Sequence, residues 1–234
     1  MRAPQSVIRR FLVPGLSTLI MLLVLVGLGT WQIYRLHWKE GILAQIAAGE
    51  AAPPVPLTGS PGPYTKVSVS GRFRYDRAAE FGAEVRDTRT GPTIGTYQIV
   101  PLERDAAQTI LVVRGWVPQK RDTALDDPAG VVNVEGYVRP RDTKSWFSAP
   151  DDPAARQFFT LDPLAIGAAV GVPDVAPFTL VAMGTSSGEG AYPAPAQHLP
   201  RPPNNHLSYV ITWYGLAVAL AVIFGVWVRK ALRS

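Results

Sequence analysis

Two stretches of this chain, Phe11 to Ile33 and Leu207 to Val228, carry no charged residue. The hydrocarbon core of a bilayer is about 30 Å thick, and about 20 consecutive apolar residues cross it as an α-helix. No water is present there to pair backbone amides, so a spanning run of this kind has to be helical. The sequence therefore predicts a membrane protein anchored by one helix near each end. A cleaved signal peptide is the other use of an N-terminal apolar run, but its core is about 7–15 residues long and ends in a small-x-small site. Here the run is longer, and bulky Trp31 and Tyr34 follow Gly27 and Gly29 directly, so an uncleaved anchor is expected. Arg2, Arg9 and Arg10 precede the first run, and Arg229, Lys230 and Arg233 follow the second. Basic flanks mark the cytoplasmic side of membrane helices. The expected layout is a cytoplasmic N-terminus (1–10), a span (11–33), an outer-side β-rich domain with Pro-rich linkers (34–206), a second span (207–228) and a cytoplasmic C-terminus (229–234).

The formal charge of +5 resides in those flanks. Without the six basic residues the remainder is near neutral, a poor electrostatic footprint for nucleic acid, and no nucleic-acid partner is expected. The chain has no cysteine. That excludes disulfides, a C-x-x-C-H haem attachment and a thiolate pair for copper. Nucleophilic catalysis has little to work with: there is no Ser-His-Asp spacing, no glycine-rich phosphate loop and no clustered carboxylate pair. An enzyme is not expected.

The first helix is predicted to continue beyond the span, because Arg35 to Glu50 is rich in helix formers with apolar residues at Leu36, Leu43, Ile46 and Ala47. Gly49 and then Pro53, Pro54 and Pro56 end it. After a Pro/Gly linker (Pro53 to Pro63), alternation at Val67, Val69, Phe73 and Tyr75 marks a strand, with Gly71 read as a bulge or turn. Further strands are expected at Glu80–Arg86, Thr96–Pro101, Thr109–Val117, Val131–Val138, Gln157–Leu161 and Phe178–Met183. Asp162 as cap, Pro163 in the first turn and Gly171 at the end frame one short helix. The expected fold class is a membrane protein whose two transmembrane helices flank an α+β, mainly antiparallel β domain, its sheet curled into a partial barrel or a sandwich. A second Pro-rich stretch, Tyr192 to Pro203, leads back to the membrane.

Chemistry-bearing residues gather at the span edges. His206 opens the second span, and helical spacing puts Tyr209, Val210 and Trp213 on its face. One reading is an interfacial histidine within an aromatic belt. The other is a metal ligand; a single imidazole is too little for a zinc or copper cage but suffices for haem, whose porphyrin supplies four ligands. At the other edge, GTWQIYRLHWK (Gly29 to Lys39) reads either as an aromatic-and-basic anchor or as a site offering Gln32 and the fork donor Arg35. His37 reads as an interface or solvent histidine, and His198, in the Pro-rich loop, is given no role. Within the domain, RGWVP (Arg114 to Pro118) joins a strand to a turn; Trp116 reads as core and Arg114 as a paired surface charge.

Six segments in order resemble the Surfeit locus protein 1 family, membrane-anchored assembly factors of haem–copper terminal oxidases. They are GTWQIYRLHWK, YTKVSVSGRF (Tyr64 to Phe73), GTYQIVPL (Gly95 to Leu102), ILVVRGWVP (Ile110 to Pro118), VEGYVR (Val134 to Arg139) and NNHLSYVITWYGLA (Asn204 to Ala217). The resemblance implies a factor that assists maturation of the oxidase catalytic subunit and binds haem a transiently. It makes His206 the favoured axial ligand of haem iron. The RGW motif falls on Arg114, Gly115 and Trp116, and the WQ-x-x-R motif on Trp31, Gln32 and Arg35. The implied cofactor-binding set is His206, Arg35, Arg114, Trp116, Gln32, Trp213 and Tyr209, with Arg35, Arg114 or Arg201 available to the haem propionates. Val210 and Phe158–Phe159 depart from the family pattern. Implied partners are the oxidase catalytic subunit, haem a synthase and the lipid bilayer. The implied location is a bacterial-type inner membrane, with both termini cytoplasmic and the central domain periplasmic. The competing reading is a scaffold that holds the nascent subunit without touching cofactor, for which small residues Gly215, Ala217, Ala219 and Ala221 would suit helix packing.

Overall fold

The computed structural model describes residues 5–88, 91–120, 124–185 and 190–233, with side chains from residue 11 onward. Arg2 and the side chains of Arg9 and Arg10, invoked above for topology, lie outside that description. The chain forms two compact units, one of Met1–Ala44 with Arg201–Ser234 and one of Gln45–Pro200.

The first unit is a pair of helices. α1 runs from Gln5 to Ala51, its last turns belonging to the second unit, and α3 from His206 to Ala231. Both are long and apolar enough to cross a membrane. The continuation of α1 past the span is as the sequence predicts, ending just before Pro53. The helices run antiparallel: Phe11 lies against Trp227, with ring centroids 5.6 Å apart, and Gln32 meets His206 at the other end. A line of less exposed residues on α3 runs through His206, Val210, Trp213, Ala217, Leu220, Phe224 and Trp227, with Tyr214, Val228 and Ala231 beside it. Steps of four and three average 3.5, the period of a left-handed supercoiled seam. Leu25, Gly29 and Gln32 repeat the same step on α1. A Cβ on Gly29 would sit 3.0 Å from the Tyr214 ring, so this glycine lets the helices approach. Of the four small residues singled out on α3, Ala217 is buried, while Gly215, Ala219 and Ala221 stay exposed.

The second unit is built on one eight-stranded sheet. Its strands are β1 (Val55–Pro56), β2 (Lys66–Phe73), β3 (Ala79–Thr88), β4 (Gly91–Arg104), β5 (Ala107–Pro118), β6 (Val132–Arg139), β7 (Gln157–Phe158) and β8 (Val175–Ala182), in the order β1-β2-β6-β8-β5-β4-β3-β7. Arg72 and Phe73 of β2 also pair with Glu103 and Leu102 of β4. That link closes β2-β6-β8-β5-β4 into a barrel-like ring. Its interior holds Val67, Val69, Leu102, Ile110, Val112, Val134, Val138, Phe178 and Leu180. Most pairings are antiparallel, as expected; β1–β2, β3–β7 and β5–β8 are parallel. Gly71 is neither bulge nor turn. It pairs in register with Val132, and a Cβ there would overlap the Glu103 carbonyl, so the residue is glycine because β4 crosses β2 closely at the closure.

β5 is apolar on both faces. Ile110 and Val112 point into the barrel, and Leu111 and Val113 are buried on its outside. The outer layer includes Ile99, Trp116, Leu161, Ile166 and Leu199. Strands covered on both sides read as continuous hydrophobic runs, which accounts for ILVV in the sequence. The short helix forms as its ends dictate: α2 (Pro163–Ala169) is capped by Asp162, whose Oδ1 accepts from the Leu164 amide at 3.1 Å, and Gly171 follows at φ +76°.

Candidate functional site

Pro202 and Pro203 cannot join an interior helical ladder, so α3 starts after them, with Asn205 as cap and His206 as its first residue. The Asn204 side chain accepts from the His206 amide at 3.4 Å. The imidazole is turned toward α1, where His206 Nδ1 donates to Gln32 Oε1 at 2.7 Å. Gln32 is 8% exposed, so this bond is shielded from competing water. An amide oxygen can only accept, which places the His206 proton on Nδ1 and leaves the Nε2 lone pair for another partner. A carbonyl-type acceptor behind the ring is how ligating histidines are held and made more basic.

Further polar groups line the same seam. Thr30 Oγ1 and the Tyr214 hydroxyl lie 2.9 Å apart, and Trp213 Nε1 is buried without a hydrogen-bond partner among the described residues. Trp213 sits seven residues on from His206, about 10 Å along the helix. A buried donor left unmade costs about 1–3 kcal/mol, a penalty that an acceptor on a bound molecule would relieve. Among the described residues no group of three or more His, Cys, Asp or Glu could hold a bare metal ion. The donor set at His206 therefore fits a ligand that brings most of its own coordination, as haem does.

The other sequence candidates are distributed unevenly. Arg35 is exposed and stacks on Trp38, 4.3 Å from the ring centroid. Tyr209 is 52% exposed, while His37 and Arg201 are exposed. Arg114 and Trp116 belong to the β domain. The Arg114 guanidinium, one-tenth exposed, pairs with Asp127 at 2.5 Å, donates to Gln98 at 3.0 Å and to the Asp126 carbonyl, and lies 5.0 Å from the rings of both Phe73 and Tyr75. Trp116 is core, its Nε1 donating to the Glu84 carbonyl at 3.2 Å. Between them, Gly115 adopts φ +148°, and a Cβ would overlap the Ala194 carbonyl. Trp116 and Ala194 exchange two backbone hydrogen bonds of 2.9 Å there, so RGW anchors the returning Ala194 segment. Of the seven sequence candidates, the structure joins His206 and Gln32 by a direct bond and sets Trp213 on the same seam. Thr30 and Tyr214 were not singled out; their signal was a hydroxyl pair inside two apolar runs.

The SURF1 family model matches residues 19–218, from within the first span to within the second. The chain belongs to the SURF1 family. Human Surfeit locus protein 1 is 31% identical over 229 residues, an alignment covering 89% of this chain and 74% of the human protein. A SURF1-like protein of Rickettsia bellii is 29% identical, with 92% and 90% of the two chains covered. One from Monosiga brevicollis is 29% identical, covering 86% and 81%. This membership bears out the resemblance drawn from the six motifs.

Proposed function

We propose that this SURF1-family protein is a membrane-anchored assembly factor for a haem–copper terminal oxidase, taking up haem a at His206 and passing it to the catalytic subunit. The observation that carries this reading is the His206–Gln32 bond. Buried Gln32 fixes tautomer and ring orientation together, so Nε2 faces away from α1 with its lone pair available. A scaffold would use the same bond only to hold α1 against α3 and would leave the Nε2 lone pair idle. When bound, haem a would bring an iron for the His206 imidazole to hold, a farnesyl tail suited to lipid and propionates suited to cations. His206 would hold the iron, the buried Trp213 Nε1 would find an acceptor, and Arg35 or Arg201 would meet the propionates. One protein ligand at a helix mouth, rather than a two-histidine cage, keeps uptake reversible. Gly215, Ala219 and Ala221, left exposed by the α1–α3 seam, give a client helix a surface for close approach.

The test is the visible spectrum of the full-length protein purified in detergent from cells that make haem a. His206→Ala should lose bound-haem absorbance while remaining folded and inserted. Gln32→Ala should retain the ligand but weaken haem retention about 10–100-fold, the usual effect of losing a group behind a metal ligand. Unchanged haem content in His206→Ala would exclude ligation by this residue. If oxidase maturation were also intact, the scaffold reading would stand instead.

A further inference from the structure

The β domain contains a cavity of about 710 Å³ on the outer side of the barrel. That volume lies within the range of about 300–1,000 Å³ typical of small-molecule sites. Val113 of β5, Tyr137 and Arg139 of β6 and Val181 of β8 line it, as do Phe81, Glu84 and Arg86 of β3 with Tyr97 of β4. The Ala194–His198 segment, tied down at Gly115 and Trp116, completes the wall.

Three properties define what this cavity accepts. Its aromatic rings, Phe81, Tyr97 and Tyr137, offer flat apolar surface, with Phe81 and Tyr97 6.4 Å apart. Two guanidiniums face it. Arg86 is held by Glu84 at 2.9 Å and by the Tyr97 hydroxyl at 2.9 Å. Arg139 bonds Asp142 at 3.1 Å through Nη2 and lies 5.3 Å from the Phe81 ring. The Glu84 charge is taken up by Arg86 and by the Tyr97 hydroxyl, which donates to it. Arg86 Nη1 and the Nε and Nη1 groups of Arg139 make no hydrogen bond among the described residues and stay available as donors. The third property is Tyr137. The residue is 6% exposed and lines the cavity wall, and its hydroxyl makes no hydrogen bond to another described residue. A phenol in a cavity wall that no protein group pairs is a donor that a ligand acceptor can take in place of water.

From these groups we infer that the cavity is a second binding site, for a flat or chain-like apolar molecule carrying a carboxylate. The apolar body lies among Phe81, Tyr97, Val113 and Val181, and the carboxylate accepts from Arg139 and Tyr137. Arginine suits this role because its fork matches a carboxylate in two bonds at once. The inference does not depend on His206 and would survive the failure of the haem reading. Such a carboxylate can come from a tetrapyrrole propionate or from a fatty acid released by lipid.

Metal-free protoporphyrin IX separates this site from His206, since it has no iron to ligate. It is titrated into the full-length protein in detergent, followed by the shift of its main absorption band with empty micelles subtracted. Saturable binding with one equivalent is expected for the natural chain and unchanged for His206→Ala. Arg139→Gln should raise the apparent Kd about tenfold or more, and the isosteric Tyr137→Phe severalfold, as loss of charge-assisted hydrogen bonds implies. The dimethyl ester should bind as weakly to the natural chain as the free acid does to Arg139→Gln. If oleate binds with the same dependence on Arg139 and Tyr137 while the porphyrin does not, the site stands and its ligand is lipid-derived. Binding of both probes that ignores Arg139→Gln and Tyr137→Phe, or no binding of either, overturns the proposal.

Discussion

Tyr137 shows how one buried side chain links fold and pH. Burial pushes its phenol up to about 12, against an opposing pull from Arg139. Below about pH 10 the phenol is protonated in both folded and unfolded chains, and the shift has no effect. From about pH 10 to about pH 12 the unfolded chain releases this proton while the folded chain retains it. Stability therefore falls as pH rises through that window, by about 2–3 kcal/mol in full. Tyr137→Phe removes this ionisation, so urea unfolding of the β domain, followed by circular dichroism at about pH 9 and about pH 11.5, should show a smaller alkaline loss than in the natural chain. An unchanged loss would mean that the phenol is not held apart from solvent as described. At the same scale, Gln32 and His206 were each legible as polar residues at a span edge. Their bond was not, because 174 positions separate them and only the pairing of α1 with α3 sets them face to face.

Among the elements, the α1–α3 seam depends most on one missing side chain. Ring atoms of Tyr214 lie 3.0–3.2 Å from where a Cβ on Gly29 would be, and the Tyr214 hydroxyl meets Thr30. Gly29→Leu should force the helices apart, break the Thr30–Tyr214 bond and lower stability by about 1–3 kcal/mol, the usual cost of overpacking. Gly27 provides the control: a Cβ there meets nothing within 4 Å, so Gly27→Leu should be near neutral. Thermal unfolding midpoints of the two variants by tryptophan fluorescence decide it, and equal shifts would count against a seam at Gly29. The two glycines are indistinguishable in the sequence. Helical periodicity was equally silent on which small residues of α3 face inward. Alternation located the strands well, because a half-buried strand repeats its apolar side every second residue. It misassigned Gly71, since close approach by another strand leaves the same mark as a bulge.

For the molecule as a whole, the charge distribution makes a topological prediction. With basic residues flanking the outer end of each apolar run, reporter fusions should place both termini in the cytoplasm and Gly130 on the opposite side. A cytoplasmic signal at Gly130 would remove the outer-side domain on which the oxidase-assembly reading depends. The sequence alone determined the two apolar helices, because any run so long and uncharged has one stable form in lipid. It also determined the six longer strands, the capped helix after Asp162 and the family, through motifs spread along nearly the whole chain. The short β1, by contrast, lies within what reads as a Pro/Gly linker, and β7 is shorter than the strand read at Gln157–Leu161. Tertiary structure alone decided the closure of β4 onto β2, the parallel β5–β8 pairing, the His206–Gln32 bond and the cavity around Tyr137. Each of these joins residues far apart in the chain. Local pattern records which face of an element is apolar, and which element covers that face is settled only when the whole chain packs.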